Sequence, residues 1–153
     1  MEKIEKITSV FENREGVRLV DVDADENYNR TVVTVIGDPQ KVKEAIVDSV
    51  GVALDLIDLN HQTGEHKRMG AVDVIPFIPI SDMSIEEAIS LSEECGKEVA
   101  EKYDLPVFMY NLSAKKPNRE KLPTIRKGEF EGMPEKLKDP EWAPDYGKAE
   151  IHP

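Results

Sequence analysis

Residues 64–79 read GEHKRMGAVDVIPFIP, a polar, charged loop that runs straight into an apolar stretch. Gly64 and Gly70 bracket Glu65, His66, Lys67, Arg68 and Met69. Glycine opens backbone conformations that other residues disfavour, so the pair predicts a tight turn projecting the charged side chains from a strand's edge. Loops carried on rigid elements are where binding and catalytic groups concentrate. A histidine there titrates near neutral pH and can accept and return a proton, while Lys67 and Arg68 can hold a carboxylate beside it. No hydroxyl or thiol stands in the loop to form a dyad with His66. By spacing alone, the plainer reading is a polar turn residue flanked by solvated cations.

On the C-terminal side of this loop, Ala71–Ile80 predicts a strand, and Pro76 and Pro79 place it at an edge or bulge. Ser84 with Glu87 forms a capping box. It opens a helix whose buried face is Ile85, Ala88, Ile89, Cys95, Val99 and Tyr103 and whose end is forced by Pro106. Val107–Tyr110 reads as a last short strand. On the N-terminal side, Ile4, Ile7, Val10 and Phe11 mark an amphipathic helix from Glu2 to about Phe11. Val17–Val22 and Thr31–Ile36 predict two strands paired antiparallel across the polar loop Asp23–Arg30. Asp38 as N-cap and Pro39 in the first turn open a longer helix that buries Val42, Ala45, Ile46, Val50, Ala53 and Ile57.

From Asn111 onward, prolines at 117, 123, 134, 140, 144 and 153 interrupt regular structure. A short helix is expected within Arg119–Gly132, and Trp142 and Tyr146 are expected to pin the tail to the body. The order helix, strand, strand, helix, strand, helix, strand predicts an α+β fold. Its expected form is a ferredoxin-like sandwich, a mixed, mostly antiparallel sheet with helices on one face and the first strand of the βαββαβ unit missing. Residues 1–153 read as one domain, with 111–153 an irregular proline-rich tail. The missing strand would be central, and unpaired strand edges invite association, so a homodimer is one expectation.

Composition narrows the function classes. The 153 residues, 39% hydrophobic and 33% charged, allow about one domain with a real core. Twenty basic against 31 acidic side chains leave a net charge of −11, which repels phosphate backbones, so nucleic acid is not expected as a partner. The local basic stretch of Lys115, Lys116, Arg119, Lys121, Arg126 and Lys127 reads as a solvated loop or a site for a small anion. No run approaches bilayer length and the N-terminus lacks a signal peptide's apolar core, so the expectation is a cytoplasmic protein with no membrane partner. Cys95, the single cysteine, reads as a core thiol. His61 and His66 lack a recognised metal-ligand spacing, and no metal site is expected.

The run Gly64–Pro79 resembles the signature of the formiminotransferase family, in which GEHxRMGAxDVxPF surrounds the catalytic histidine. Three further segments fit the same family: Asp21-Val22-Asp23-Ala24 with Asn29-Arg30-Thr31-Val32; Leu122 to Glu131, LPTIRKGEFE; and Pro134-Glu135-Lys136-Leu137 with Trp142-Ala143-Pro144-Asp145-Tyr146-Gly147. They run in order across nearly the whole chain. The resemblance implies enzymes that transfer the formimino group of N-formimino-L-glutamate to N5 of tetrahydrofolate in histidine degradation. It further implies a transferase unit of two ferredoxin-like subdomains with folate in the groove between them. The chain looks like the N-terminal subdomain, starting after the family's Pro-Asn-Phe-Ser-Glu-Gly-like motif and stopping at Ile151-His152-Pro153, ahead of the second subdomain.

Residue by residue, the resemblance implies His66 as the catalytic base. Asp23 matches an acidic position near the site, where it would orient or charge-stabilise the imidazolium; read alone, it is equally a strand-end residue capping a turn. Gly147, Lys148, Ala149, Glu150, Ile151, His152 and Pro153 match the front of the family's folate-contacting segment. Lys67, Arg68 and Arg30 are expected to bind substrate carboxylates, with a structural ion pair the alternative for Arg30. Asp73 is expected inside a strand, buried beside His66, and Glu65 either serves the site or faces solvent. Tetrahydrofolate is the implied co-substrate, with no metal, and a second subdomain would come from a separate chain or a homodimer. The alternatives are a non-catalytic folate-binding or interaction module that keeps the fold, and an unrelated acid–base enzyme acting on a small carboxylate.

Overall fold

The computed structural model describes residues 2–62, 64–65 and 67–152. Its sheet begins from a local decision at Asp25, whose Oδ1 accepts hydrogen bonds from the amides of Asn27 (2.9 Å) and Tyr28 (3.1 Å). Asn29 then takes a left-handed conformation, φ 53°, which asparagine tolerates better than most residues. The turn joins β1 (Val17–Asp25) to β2 (Arg30–Gly37), paired antiparallel from Val17 opposite Gly37 to Asp25 opposite Arg30. The register shifts between Leu19 and Asp21, which makes Val20 the extra residue of a bulge. That bulge lets Leu19 and Val22, three residues apart, share the half-buried face with Val33 and Val35. Arg18, Asp21, Asp23, Val32, Thr34 and Ile36 are exposed.

Two helices cover this hairpin within the first compact unit, which runs through Lys67. α1 (Glu2–Thr8) passes into a 3-10 turn at Ser9–Phe11 and buries Phe11. α2 (Pro39–Leu56) starts where the Asp38 side chain accepts from the Lys41 amide at 3.3 Å, with Pro39 preset for the first turn. Ala45, Val47, Val50 and Ala53 are buried, and Val42, Ile46 and Ile57 are half-buried. The helical spacing read from the sequence thus marks the face that packs.

The second unit is Arg68–His152. Its long helix, α3 (Ile85–Tyr103), opens where Ser84 Oγ accepts from the Glu87 amide at 3.1 Å and closes at Asp104 in a left-handed conformation ahead of Pro106. Ala88, Leu91, Cys95, Val99 and Ala100 face the core, while Ile85 is exposed. Met109, Ile125 from α4 (Leu122–Arg126), Phe130, Met133 from α5 (Met133–Lys136) and Leu137 complete that core.

The protein is α+β, with a two-stranded antiparallel sheet and helices. The sheet is narrower than a ferredoxin-like sandwich calls for. Ala71–Ile80 does not form the expected strand. Pro76 and Pro79 lack backbone donors, Asp73 turns its carboxylate back on the loop, and Ile78 and Ile80 are about three-quarters exposed (76% and 77%). Val107–Tyr110 contributes a single bridge, Val107 opposite Tyr146, in place of a strand. The tail therefore joins the body through backbone hydrogen bonds as well as through its aromatic anchors. Among the described residues no helix is long and apolar enough to cross a membrane.

Candidate functional site

In the first unit the glycine-bracketed loop meets the hairpin turn. The Glu65 amide donates to Asn27 O at 3.1 Å, and Asn29 Nδ2 donates to Gln62 Oε1 at 2.8 Å. A Cβ at residue 64 would run into Tyr28 O and Asn29 Cβ, so Gly64 is needed there for space. Glu65 and Lys67 are exposed. His66 lies outside the described residues.

Asp23 and Arg30 stand on the same hairpin. Asp23 is exposed, opposite Val32 in the register. Arg30, opposite Asp25, holds its guanidinium 5.7 Å from the centroid of the Tyr28 ring, a cation–π arrangement at the surface.

Arg68 begins the second unit, and its guanidinium is engaged by protein carboxylates. Nη1 donates to Glu131 Oε2 at 2.9 Å and Nη2 to Glu131 Oε1 at 2.6 Å, and Nη1 lies 3.4 Å from Glu129 Oε1. The Arg68 amide donates to Glu129 Oε1 at 3.2 Å, and Arg68 O accepts from the Phe130 amide at 3.0 Å. The hydrogen bond to Glu131 raises the Arg68 pKa further, and the same bond pulls the Glu131 carboxyl down to about 2. Arg68, expected to bind a substrate carboxylate, is thus tied into the loop's own scaffold by Glu131 and Glu129.

Asp73 has a similar structural task. Its Oδ1 accepts from the Met69 (2.6 Å) and Gly70 (3.3 Å) amides, and its Oδ2 lies 2.7 Å from Arg126 Nε and 2.5 Å from Arg126 Nη2. It sits in a loop, with its side chain 15% exposed, and not in a strand. Burial raises the pKa of Tyr110, with Arg126 lowering it and Asp73 raising it by lesser amounts. Residues 68–73 are thus fastened to residues 126–131 at both ends.

The expected folate-contacting segment leaves the second unit at Gly147, which has φ 86° and whose Cβ position is filled by Leu105 O. Gly147, Lys148, Ala149, Glu150 and Ile151 are exposed. Lys148 Nζ lies 3.8 Å from Asp104 Oδ1, both side chains being mostly in solvent. His152 is half-buried, and its Nδ1 has no hydrogen-bond partner among the described residues. Pro153 lies outside the described residues. Asp23, Arg30 and Lys67 belong to the first unit, and Arg68 and residues 147–152 to the second.

Sequence reasoning missed Glu129 and Glu131 as partners of Arg68, and Asp145 as the partner of Arg119, whose Nη1 lies 2.9 Å from Asp145 Oδ1. Most of the basic stretch beside them is also engaged. Lys115 pairs with Glu93 at 2.7 Å, and that hydrogen bond raises the Lys115 pKa. Lys116 Nζ donates to Glu141 O at 3.2 Å. Lys136 stands 4.1 Å over the Trp142 ring, and burial lowers its pKa, with Arg119 and Lys127 adding to the effect. A small-anion site along residues 115–127 would have to displace these contacts.

Residues 1–153 match the family described as formiminotransferase domain, N-terminal subdomain. The chain is 42% identical over 150 residues to a glutamate formimidoyltransferase of Streptococcus pyogenes serotype M1, covering 98% of this chain and 50% of that protein. Against a formimidoyltransferase-cyclodeaminase of Mus musculus it is 43% identical over 152 residues, covering 99% of this chain and 28% of that protein. A glutamate formimidoyltransferase of Thermoplasma acidophilum is 34% identical over 152 residues, covering 98% of this chain and 50% of that protein. The chain spans half or less of the length of these relatives. With the loop signature, the three further segments and the whole of the chain in agreement, the protein belongs to the formiminotransferase family and corresponds to its N-terminal subdomain.

Proposed function

We propose that the chain supplies one half of a transferase that moves the formimino group of N-formimino-L-glutamate to N5 of tetrahydrofolate in histidine degradation. One observation carries the reading: GEHKRMG stands intact in a chain 42% identical, over 98% of its length, to a protein named for that transfer. The chemistry requires a proton shuttle. As N5 attacks the amidinium carbon, a new C–N5 bond forms and the C=N π pair moves onto the imino nitrogen. N5 then gives up its proton to His66. When the tetrahedral intermediate collapses, the imino nitrogen's pair re-forms C=N, the bond from carbon to the glutamate nitrogen breaks and His66 returns the proton to that nitrogen. A group titrating near neutral pH suits both halves of this cycle.

The other residues take supporting roles. Asp23 orients or charge-stabilises the imidazolium. Exposed Arg30 and Lys67 bind the carboxylates of N-formimino-L-glutamate. Arg68 holds the loop through Glu131, and it reaches a substrate carboxylate by exchanging Glu131 for it. Gly147–Pro153 contacts the folate, with Lys148 placed for a folate carboxylate. Both reactants must be held together for transfer, so a second subdomain, in a separate chain or a partner copy, completes the positioning. Tetrahydrofolate enters as co-substrate, and no metal is invoked. The protein works in the cytoplasm.

Calorimetric titration with 5-formyltetrahydrofolate, paired with a transfer assay in which the family's second subdomain is supplied as a separate chain, tests the reading. Saturable one-site binding by wild type and by His66→Ala is expected, with transfer lowered at least ~100-fold in the variant, the scale of a lost general base. Binding without transfer would make the chain a folate-binding module. Absence of both at millimolar folate would remove the reading.

A further inference from the structure

Arg119 is fully buried (0% exposed), and a buried guanidinium is costly unless its donors are met. Here the contacts to it come from one short stretch of tail, Nη2 donating its hydrogen bonds there, while Nε and Nη1 have no hydrogen-bond partner among the described residues. Nη2 donates to Ala143 O at 2.6 Å and to Glu141 O at 3.1 Å, while Nη1 lies 2.9 Å from Asp145 Oδ1. Residues 141, 143 and 145, each two positions apart, thus converge on a single side chain. The guanidinium plane is further confined by Phe108 at 4.9 Å and Trp142 at 5.6 Å, rings that meet edge to face. Asp145, with its side chain 7% exposed, ties the same stretch to the body. Its Oδ2 accepts from the Met109 amide at 2.7 Å, its own amide donates to Val107 O at 2.8 Å, and Val107 and Tyr146 exchange hydrogen bonds at 2.9 and 3.2 Å.

We propose that Arg119 and Asp145 are positioning residues that set the direction in which Gly147–His152 leaves the body, so that this segment meets its ligand preformed. The part of the proposal that concerns folate rests on the function proposed above. Immediately after the clasp, Gly147 bends at φ 86° against Leu105 O and Ala100 Cβ, a conformation and a space that a larger residue does not fit. Beyond that bend residues 148–151 are exposed and have no core of their own to fix them. Their course is inherited from the clasp and from the glycine bend that follows it. A buried Arg–carboxylate pair adds little net stability over an apolar pair, and what it specifies is geometry. The planar fork holds its donors in one fixed plane between the Phe108 and Trp142 rings, a geometry that a tetrahedral ammonium does not reproduce. A preformed binding segment loses less entropy when its ligand arrives.

Backbone amide exchange followed by mass spectrometry, on wild type, Arg119→Lys and Asp145→Asn, tests this, with each protein also titrated with 5-formyltetrahydrofolate. The expected result is exchange faster by about 10-fold or more confined to residues 146–152, with α2 and α3 unchanged, and a Kd for the folate raised by about 10-fold, each tenfold step being one unit of preorganisation on the usual logarithmic scale. Unchanged exchange at 146–152 in both variants overturns the proposal. So does acceleration spread evenly over residues 68–152, which would mark the pair as merely structural. Asp145→Asn keeps an acceptor for the Met109 amide, so it decides the matter if Arg119→Lys does not fold. Should wild type bind no folate, the functional reading fails while the exchange pattern still decides whether the clasp positions the segment.

Discussion

Arg68 grips Glu131 with both terminal nitrogens, Nη1 to Oε2 at 2.9 Å and Nη2 to Oε1 at 2.6 Å. These hydrogen bonds hold the Glu131 carboxyl at about 2, against an ordinary value of 4.5. Because the folded value is the lower one, the contribution to stability is present above pH 4.5 and is lost as pH falls from there toward 2. The Glu131 side chain is 65% exposed, so screening keeps the contribution to about 0.5–1 kcal/mol. Glu131→Gln is expected to cost that much in urea unfolding at pH 7 and much less at pH 2, where the folded-state carboxyl is about half protonated. An equal deficit at both pH values would show that the carboxylate's charge is not what matters.

Asp73 is expected to be the more damaging loss in this loop. Its carboxylate serves two amides and Arg126, and both charged side chains are largely buried, 15% and 17% exposed. Asp73→Ala leaves Arg126 without that carboxylate and two amides without an acceptor, for a cost of about 2–4 kcal/mol. Asp73→Asn retains an acceptor and should cost about 1–2 kcal/mol by the same reasoning. Urea midpoints for the two variants check the order, and a cost below about 0.5 kcal/mol for the alanine variant would mean that the loop is not organised by this side chain.

What could be read from the sequence was what local chemistry decides. Asp38 and Ser84 cap the helices expected of them, since a cap involves residues only three apart. The hairpin followed from β-branched alternation on either side of a polar turn, but the bulge at Val20 went unforeseen, and Asp23–Asp25 and Arg30, expected in the loop, continue the strands. The misses have a common origin in distance along the chain. The acidic partners of Arg68 went unseen because they lie 61 and 63 residues away, and Asp73 was placed in a strand because Arg126 lies 53 residues away. Apolar alternation over Val72–Ile80 looks like a strand, but a strand also needs a partner, and the two prolines remove donors that would recruit one. Of the candidate site, residue identities were legible through the family motif. The ion pairs of Arg68 with Glu129 and Glu131, and of Arg119 with Asp145, were not.

The Ser84 cap offers a test free of the site's chemistry. Its hydroxyl oxygen accepts from the Glu87 amide at 3.1 Å at an exposed position, with no other element depending on it in the register of the hairpin. Ser84→Ala is expected to cost about 1 kcal/mol of stability. Folate binding should be unaltered. A cost near zero would assign the start of α3 to packing at Ala88 and Leu91 alone.

Arg30 and Lys67 should behave in the opposite way, with much activity and little stability at stake. Both are exposed, and Arg30 lies over the face of Tyr28, an exposed arrangement whose removal costs about 0.5–1 kcal/mol at most. If they bind the carboxylates of N-formimino-L-glutamate, they do so equally in the ground and transition states, since those carboxylates take no part in the chemistry. Loss of such uniform binding raises KM and leaves kcat nearly unchanged. Arg30→Ala and Lys67→Ala, assayed with the second subdomain present, are therefore expected to raise KM for N-formimino-L-glutamate by about 10-fold each, the scale of one charge-assisted hydrogen bond. KM for tetrahydrofolate should not move. A fall in kcat with unchanged KM would instead mean that the cation stabilises the transition state, and would reassign carboxylate binding to other residues.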